Sequence, residues 1–431
     1  MWDRAIRSLP GGNGLLSKRP DRYAPDLWPT YFKSAKGVKV KDLDGNSFID
    51  MAQMGIGSAI LGYANKELNK AVSEKIKDGV NCTLNAPEEV MLAERLIELN
   101  PFASGVRFAR SGGEAMAIAI RIARAYTKKD KVLFSGYHGW HDWYLATNLS
   151  TDDGLKDHLI PGLKTNGVPE GLKNTAIPFI YDNVDSLEKA ILNHKDAGVI
   201  CIEGARYDFP KDDFLDAVSF FAKKYKMIII SDEITSGWRY TDGGVYKING
   251  FKPDMVVYAK AMGGGYAISA VLGTEEVMFS AQDTFMSSTM WTERVGFVAA
   301  LKTIEIITRD KVWNHLIEIG DEIGKGWERL SKKHDLKISI SNFKPLITMK
   351  FGYPDRNQAL STLFIQEMLK RGYLASTSVY VSFAHNKKIV NEYLKEVDEV
   401  FATIKNAIES NSENELLNSR IRSDSFNRIT P

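Results

Sequence analysis

The 431-residue sequence is poor in cysteine, nearly neutral in charge and without a long apolar run. Cys82 and Cys201 are too few for a disulfide framework or a four-cysteine zinc site, which favours a reducing cytoplasm. A net charge of +2 gives no long-range attraction for nucleic acid or an acidic membrane. No stretch approaches the roughly 18 apolar residues of a membrane-spanning helix, and residues 1–4 open no secretory signal. We expect a soluble cytoplasmic protein that binds neither nucleic acid nor membrane.

The composition and length are those of a globular protein with more than one domain. Hydrophobic residues make up 44% and charged residues 26% of the chain, which excludes a disordered or collagen-like protein. We expect a large domain over residues 66–300 and a smaller one over residues 301–410, with the N-terminal segment 1–65 contributing to the smaller domain. The polar tail, residues 411–431, is expected to fray or to dock only weakly.

Four short segments of the large domain are apolar at every position. Such strands are buried on both faces, which is typical of a parallel sheet covered by helices and predicts an α/β fold. The strands are predicted at 132–134, 199–202, 227–230 and 255–258.

Ionisable side chains follow three of these strands. Glu203, Asp232 and Lys260 each come within two residues of a strand end, and ligands of parallel sheets gather at the carboxyl ends of the strands. A single polar residue there is usually solvated loop, but three successive strands delivering such groups to one edge indicate a site.

Lys260 and Asp232 suggest a particular chemistry. A lysine at a strand end can simply reach water, but a partly desolvated amine suits Schiff-base formation with an aldehyde. The glycine-rich stretch 261–266 after it lets the backbone approach a ligand. Taken alone, Asp232 is interpreted as a helix cap or turn residue. Next to a pyridine ring, however, its carboxylate would keep the ring nitrogen protonated, which allows pyridoxal phosphate to act as an electron sink.

Three further motifs each allow two interpretations. Ser111-Gly112-Gly113 precedes an amphipathic helix, where Ser111 and Glu114 predict a capping box and the exposed N–H groups suit a phosphate. The segment 137–142 holds two histidines and an aspartate, but it lacks a zinc-binding helix motif, so Tyr137 is favoured as an aromatic that stacks on a flat ring. The hydroxyls of 287–289 are either a helix cap or a phosphate contact.

Taken together, these motifs resemble the class III, or omega-type, aminotransferases of pyridoxal-phosphate fold type I, and among them the glutamate-1-semialdehyde aminomutase branch. The most specific element is Asp232-Glu233-Ile234-Thr235-Ser236-Gly237-Trp238-Arg239, followed 28 residues after Asp232 by Lys260-Ala261-Met262-Gly263-Gly264-Gly265-Tyr266. The resemblance runs from Pro10 to about residue 410.

This resemblance implies a fold, a cofactor and the residues that hold it. The fold is a large domain with a mostly parallel central sheet plus a smaller α+β domain. Lys260 would carry pyridoxal 5'-phosphate and shuttle a proton, and Asp232 would pair with the pyridine nitrogen. The remaining cofactor contacts implied are Ser111, Gly112 and Gly113 to the phosphate, Tyr137 and Ile234 to the two ring faces, and Thr289 to the phosphate of the neighbouring subunit's cofactor. The resemblance therefore also implies a homodimer with shared active sites. We expect no metal site.

Departures from the family pattern bear on the substrate. The usual Glu-Pro is replaced by Glu203-Gly204-Ala205-Arg206, and the aminomutase's carboxylate-binding arginine aligns with Lys18 or Arg19. Arg206 is a candidate for a substrate carboxylate or phosphate, because guanidinium groups suit bidentate anions. The alternative is a surface salt bridge of Arg206 to a nearby aspartate.

The predicted activity is transfer of an amino group from an amino acid, glutamate for preference, to a carbonyl acceptor through a pyridoxamine phosphate intermediate. An intramolecular aminomutase is the alternative, since residues 143–172 resemble a segment that gates such intermediates. A non-catalytic family member that acts as a binding protein is a third possibility.

Overall fold

A computed structural model describes residues 1–426, which form two compact units. Unit 2 runs from Lys66 to Trp313, and unit 1 combines Met1–Asn65 with the chain from Asn314 onward. We expected the large domain to end near residue 300. It extends further because the helix Arg294–Asp310 packs Val298 and Ala299 against helix residues of the same unit.

The described residues contain fourteen strands and thirteen α-helices. The strands are β1 Phe32–Lys36, β2 Lys39–Asp42, β3 Ser47–Met51, β4 Gly105–Ala109, β5 Val132–Ser135, β6 Ala176–Pro178, β7 Val199–Glu203, β8 Ile228–Asp232, β9 Met255–Tyr258, β10 Ser269–Gly273, β11 Ile338–Ile340, β12 Leu346–Phe351, β13 Tyr373–Ala375 and β14 Ser378–Tyr380. The helices are α1 Trp2–Ser8, α2 Lys66–Ile76, α3 Pro87–Leu99, α4 Gly112–Thr127, α5 Asp142–Leu145, α6 Thr147–Ser150, α7 Val184–Asn193, α8 Asp212–Tyr225, α9 Glu275–Phe279, α10 Arg294–Asp310, α11 Val312–Lys333, α12 Asn357–Lys370 and α13 Lys387–Ser410. Within residues 1–426, no helix has both the length and the apolarity needed to cross a bilayer.

Unit 2 is built on a seven-stranded sheet in the order β4-β10-β9-β8-β7-β5-β6. The five strands from β9 to β6 are parallel, whereas β10 runs antiparallel to both of its neighbours. Every residue of β5, β7, β8 and β9 is buried. The predicted mostly parallel, helix-covered sheet is therefore confirmed.

Helix α4 covers one face of this sheet and begins with the predicted capping box. The Ser111 hydroxyl accepts the Glu114 N–H, and the Glu114 carboxylate accepts the Ser111 N–H at 2.9 Å. Alanine and isoleucine side chains on one face, including Ala119 and Ile122, are fully buried against the strands. The cap fixes where the helix starts, and the apolar face fixes how it lies on the sheet.

Unit 1 contains two smaller sheets. One has the order β1-β2-β3-β13 and the other the order β11-β12-β14. Strands β2 and β3 form an antiparallel hairpin, in which the Asp42 carboxylate accepts the N–H groups of Asp44 and Asn46. These bonds close the turn and set the register of the two strands.

The C-terminal segment differs from its expected fraying. Arg356 binds the Glu413 carboxylate with two nitrogens, with Nε at 2.6 Å from Oε1, and Arg420 Nη2 lies 2.9 Å from Asp26 Oδ1. Residues 411–426 are thus tied to unit 1, because their polar side chains meet charged partners rather than water. Residues 427–431 of the predicted tail lie outside the described part of the chain.

Candidate active site

The carboxyl ends of β7, β8 and β9 bring the three predicted rim residues to one edge of the sheet. Glu203 and Asp232 end adjacent strands and lie directly opposite each other. Lys260 follows β9 by two residues and opens a short 3-10 turn that ends at Gly263. The expectation that these side chains share an edge agrees with the geometry of the sheet.

Lys260 is held in a fixed and strained conformation. Its φ of 42° lies in the left-handed region, which costs a residue with a side chain roughly 1–3 kcal/mol. The amine Nζ donates a hydrogen bond to the Thr235 hydroxyl at 2.9 Å, and Thr235 is itself buried. The turn and the hydrogen bond together aim the amine at the edge of the sheet.

Asp232 forms a buried pair with His138. The Asp232 Oδ2 atom lies 2.8 Å from His138 Nδ1, and Oδ1 accepts the Ile234 N–H at 2.9 Å. The other imidazole nitrogen, Nε2, lies 3.1 Å from the Ser135 carbonyl oxygen. Since both ring nitrogens face acceptors, a doubly protonated imidazole satisfies both contacts.

The charge of His138 follows from these contacts. Burial by itself lowers the pKa of His138, but Cys201 and the hydrogen-bonded Asp232 carboxylate raise that pKa well above its usual value. The carboxylate at the end of β8 is thus oriented by a cationic neighbour from the turn after β5.

Two backbone N–H groups at the start of α4 have no acceptor among residues 1–426. Glu114 caps the N–H of Ser111, and hydrogen bonds within the described chain leave those of Gly112 and Gly113 unused. A Cβ on Gly113 would lie 3.1 Å from His141 Nδ1, closer than an ordinary contact, so glycine gives the imidazole room beside the helix start. Free N–H groups at a helix start attract anions.

The turn after β5 packs against this helix start. Gly139 has φ of 104°, and a Cβ there would lie 3.0 Å from the Gly113 Cα. The His141 Nδ1 atom is buried, without a hydrogen-bond partner in residues 1–426, and burial lowers the pKa of His141. A neutral imidazole beside the two free N–H groups can donate a further hydrogen bond to an anion.

Ile234 and Tyr137 supply apolar surface near the charged groups. A Cβ on Gly112 would lie 2.9 Å from Ile234 Cδ1, so the side chain of Ile234 covers the helix start. Tyr137 is half-buried, edge-on to Tyr144 with 5.9 Å between ring centres, and its N–H donates to the Glu203 carboxylate at 3.2 Å. Burial raises the pKa of Tyr137, so its hydroxyl stays protonated at neutral pH.

Arg206 lies close to the same edge. Its Nη1 atom is 3.6 Å from Glu203 Oε2, and its guanidinium carbon lies 5.9 Å from the Tyr137 ring centre and 5.3 Å from that of Tyr207. The guanidinium is thus placed near two aromatic rings and a buried carboxylate.

Thr289, Lys18 and Arg19 complete the set of predicted residues. Thr289 is exposed on a short turn and lines a surface cavity of about 560 Å³ with other hydroxyl-bearing residues. Lys18 and Arg19 belong to unit 1, where Lys18 is exposed and Arg19 Nη2 pairs with Asp21 Oδ2 at 2.7 Å. That Lys18 or Arg19 contacts the substrate stays a prediction. Within residues 1–426, no group of three or more His, Cys, Asp or Glu side chains is arranged to hold a metal.

Three site residues escaped the sequence reasoning. His138 and His141 were considered only as metal ligands, and Thr235 only as part of a motif. His138 pairs with an aspartate 94 positions away and Thr235 with a lysine 25 positions away. His138 directly follows Tyr137 at the end of a strand, and this position was the sequence feature that could have placed His138 in the site.

Glu233 is a fully buried carboxyl group next to Asp232. It accepts hydrogen bonds from the Ser236 hydroxyl at 2.5 Å and the Tyr246 N–H at 3.2 Å. A Cβ on Gly204 would lie 2.6 Å from its carboxyl group, so glycine leaves the space it fills. Burial, with a smaller contribution from Asp232, raises the pKa of Glu233 to about 7.

This raised pKa predicts a pH-dependent stability. Between the ordinary glutamate pKa and pH 7, the folded chain keeps the Glu233 proton and the unfolded chain loses it, so the free energy of unfolding falls as pH rises. The loss amounts to about 3 kcal/mol by pH 8. In Glu233→Gln this contribution should vanish from denaturant unfolding curves recorded between pH 5 and 8. The exposed Glu188→Gln is the matched control, and an unchanged slope in Glu233→Gln would contradict the assignment.

Comparison with known proteins identifies the family. The sequence model of the Aminotransferase class-III family matches residues 23–413. The 3-aminobutyryl-CoA aminotransferase of Cloacimonas acidaminovorans (strain Evry) is 32% identical, over 92% of this chain and 96% of that protein. The glutamate-1-semialdehyde 2,1-aminomutase of Methanosphaera stadtmanae is 35% identical, over 81% of this chain and 82% of that protein.

Solved structures show the same fold. The FumI protein of Sphingopyxis sp. MTA144, solved in its PLP internal aldimine form, superposes with a TM-score of 0.86 at 23% identity, over 95% of this chain and 96% of that one. An omega-transaminase from Sphaerobacter thermophilus gives a TM-score of 0.81 at 24% identity, over 94% and 96%.

The chain therefore belongs to the class-III aminotransferase family, and it is an enzyme that acts on small molecules. The family and the fold type expected from the sequence are both confirmed.

Proposed function

We propose that the protein is a pyridoxal-phosphate-dependent aminotransferase that moves an amino group from an amino acid, glutamate for preference, to a carbonyl acceptor. The observation that carries this proposal is the placement of the Lys260 amine and the Asp232–His138 pair at one edge of the sheet. A buried carboxylate paired with a cationic imidazole suits a protonated ring nitrogen, and an oriented amine suits an aldehyde.

The other groups at this edge fit the remaining parts of pyridoxal phosphate. The free N–H groups of Gly112 and Gly113, with His141 Nδ1 beside them, suit its phosphate. Ile234 and Tyr137 offer apolar and aromatic surface for the two faces of its ring. When bound, this cofactor supplies an electron sink for charge that develops on the substrate carbon.

The chain's own residues then have defined tasks. Asp232 would hold a proton on the ring nitrogen, and His138 orients the Asp232 carboxylate for this task. Lys260 Nζ would move a proton between the substrate carbon and the cofactor carbon. The hydrogen bond to Thr235 holds the amine in position between transfers. Glu203 fixes the backbone of Tyr137, so that the ring of Tyr137 keeps one orientation.

A half-reaction with one substrate tests the proposal. Purified holoenzyme given glutamate alone should release one equivalent of 2-oxoglutarate per site and lose the absorbance of the aldehyde form of the cofactor. A carbonyl acceptor should then restore the original spectrum. If no amino acid changes the spectrum and the cofactor is not attached to Lys260, the proposal is wrong.

An intramolecular aminomutase is the second candidate, favoured by the identity to glutamate-1-semialdehyde aminomutases. Residues 151–169 carry no helix or strand, yet this segment packs tightly, since Asn148 donates to the Leu163 carbonyl at 2.9 Å and Leu155 is fully buried. Such a segment suits retention of an intermediate. Turnover of one amino-aldehyde without any external donor or acceptor would favour this activity.

The active unit is proposed to be a homodimer in which Thr289 reaches the phosphate of the neighbouring subunit's cofactor. Thr289 is exposed. Leu84 and Phe285, which adjoin the segments that line the same cavity as Thr289, are 78% and 84% exposed. Large apolar side chains left in water are typical of an interface. Light scattering should give twice the 48.2 kDa chain mass.

Arg206 is proposed to bind an anionic group of the substrate, a carboxylate or phosphate, and Glu203, whose Oε2 atom lies 3.6 Å from Arg206 Nη1, to hold the guanidinium beside the substrate. Its guanidinium stands at the site edge beside Tyr137, which is proposed to lie on the cofactor ring. We expect Arg206→Gln to raise KM for an anionic substrate about 10- to 100-fold, the value of a charged hydrogen bond, with a smaller change in kcat. Steady-state kinetics on glutamate checks this. Lys211→Gln, which removes a surface pair with Asp182, is the control, and equal KM values in both variants would exclude Arg206.

A further inference from the structure

Arg110 immediately precedes the turn 111–113, which is proposed above to bind the cofactor phosphate. Its Nε donates to the Met290 carbonyl, Nη2 donates to the Glu293 carbonyl at 2.5 Å, and Nη1 donates to the Ala267 carbonyl at 3.3 Å. Two of these three acceptors belong to the loop 288–293, which contains Thr289. One side chain therefore joins that loop to the start of helix α4.

The position of this guanidinium is prepared by its surroundings. A Cβ on Gly296 would lie 2.1 Å from Arg110 Nη1, so glycine leaves room for the guanidinium. The Phe297 ring lies 5.2 Å from the guanidinium carbon, and Glu293 Oε2 lies 3.7 Å from Nη2. A half-buried cation with these partners has little freedom to move.

Glu114 makes a second connection between the same two segments. Its Oε2 atom accepts the N–H groups of Arg110 and Ser111, and its Oε1 atom accepts the Trp291 indole N–H at 3.3 Å. The residue that caps the phosphate-binding turn thus also holds the loop.

We propose that Arg110 is a positioning residue for the cofactor phosphate: it fixes the loop 288–293, and with it the Thr289 hydroxyl, relative to the turn 111–113. The inference rests on the proposed function, in which the turn binds the phosphate of one subunit and Thr289 reaches that of the other. Arg110 holds the Thr289 hydroxyl and the turn 111–113, the two phosphate contacts, in a fixed position relative to each other. Arg110 itself contacts neither cofactor nor substrate.

Cofactor affinity measured with two probes tests this role. Apoprotein prepared from full-length holoenzyme is titrated with pyridoxal phosphate and, separately, with pyridoxal, which lacks the phosphate. Arg110→Gln and Thr289→Val should each weaken pyridoxal phosphate binding about tenfold, the value of one charged hydrogen bond. Pyridoxal affinity should stay the same. The variant that combines both substitutions should also bind pyridoxal phosphate about tenfold more weakly than the wild type. A misplaced loop and a missing hydroxyl remove the same contact, so the two losses should not add.

The outcomes separate this inference from the proposed function. If the wild-type chain binds neither compound, the proposed function fails. If it prefers pyridoxal phosphate and Arg110→Gln keeps that preference, or if the double variant loses about a hundredfold, Arg110 has no positioning role. Should Arg110→Gln not fold, Trp291→Phe removes the second connection and must show the same phosphate-dependent, non-additive loss. The exposed Arg309→Gln is the control and should match the wild type.

Discussion

Replacing Lys260 with alanine should abolish covalent attachment of the cofactor and lower turnover by roughly 10³-fold, the usual contribution of a nucleophilic amine that also transfers protons. The amine is steered by its turn and by Thr235, and no other lysine follows a strand at this edge of the sheet within residues 1–426. Borohydride reduction followed by peptide mass spectrometry and a single-turnover assay measure the two effects.

Lys252→Ala is the matched control for this substitution. Lys252 is an exposed lysine of the same unit, so its loss should leave both attachment and turnover unchanged. Because Lys260 has a left-handed φ, the alanine variant keeps the backbone strain and should unfold at a similar denaturant concentration. Turnover by Lys260→Ala at the wild-type rate would contradict the assigned chemistry.

Asp232→Asn should lower turnover about 10²- to 10³-fold, the value of one preorganised electrostatic contact in a buried site. Asparagine has the same shape and can still accept the Ile234 N–H, but it brings no negative charge to the ring nitrogen. It also deprives His138 of the carboxylate that helps to raise its pKa. Steady-state kinetics, with a cofactor titration to confirm loading, measures the effect.

Asp254→Asn serves as the control for removing a carboxyl group from the same sheet. The Asp254 carboxylate accepts the Ile229 N–H at 2.7 Å at the opposite edge, where β9 begins. This variant can change stability but should keep turnover within about twofold, since it lies outside the site. Equal losses of turnover in the two variants would mean that Asp232 acts through folding rather than chemistry.

The sequence was informative where burial and chain order decide the structure. Runs such as Val199–Ile202 are apolar at every position, so they predict buried parallel strands. Once strands are placed, the residues that follow them fall at a common edge, which is how Asp232 and Lys260 were found together. The capping box at Ser111 was also readable, because both of its residues lie within one turn of helix.

Contacts between residues that are far apart in the chain could not be predicted from the sequence. His138 and Asp232 are far apart in sequence, and neither residue type specifies its partner. Strand β10 is short and rich in small residues, so nothing in Ser269–Gly273 stands out as a strand until its neighbours are known. The anchoring of Arg420 on Asp26 depends likewise on two chain ends meeting.

The antiparallel strand β10 limits how this enzyme family member can diversify. Because β10 returns beside β9, only residues 259–268 separate two fixed strands, whereas a parallel neighbour would require a crossover of a dozen or more residues. The segment that bears Lys260 therefore has little tolerance for insertions. Evolution of new substrate preferences can instead draw on longer connections such as residues 136–175, between β5 and β6, where length can vary without displacing the amine.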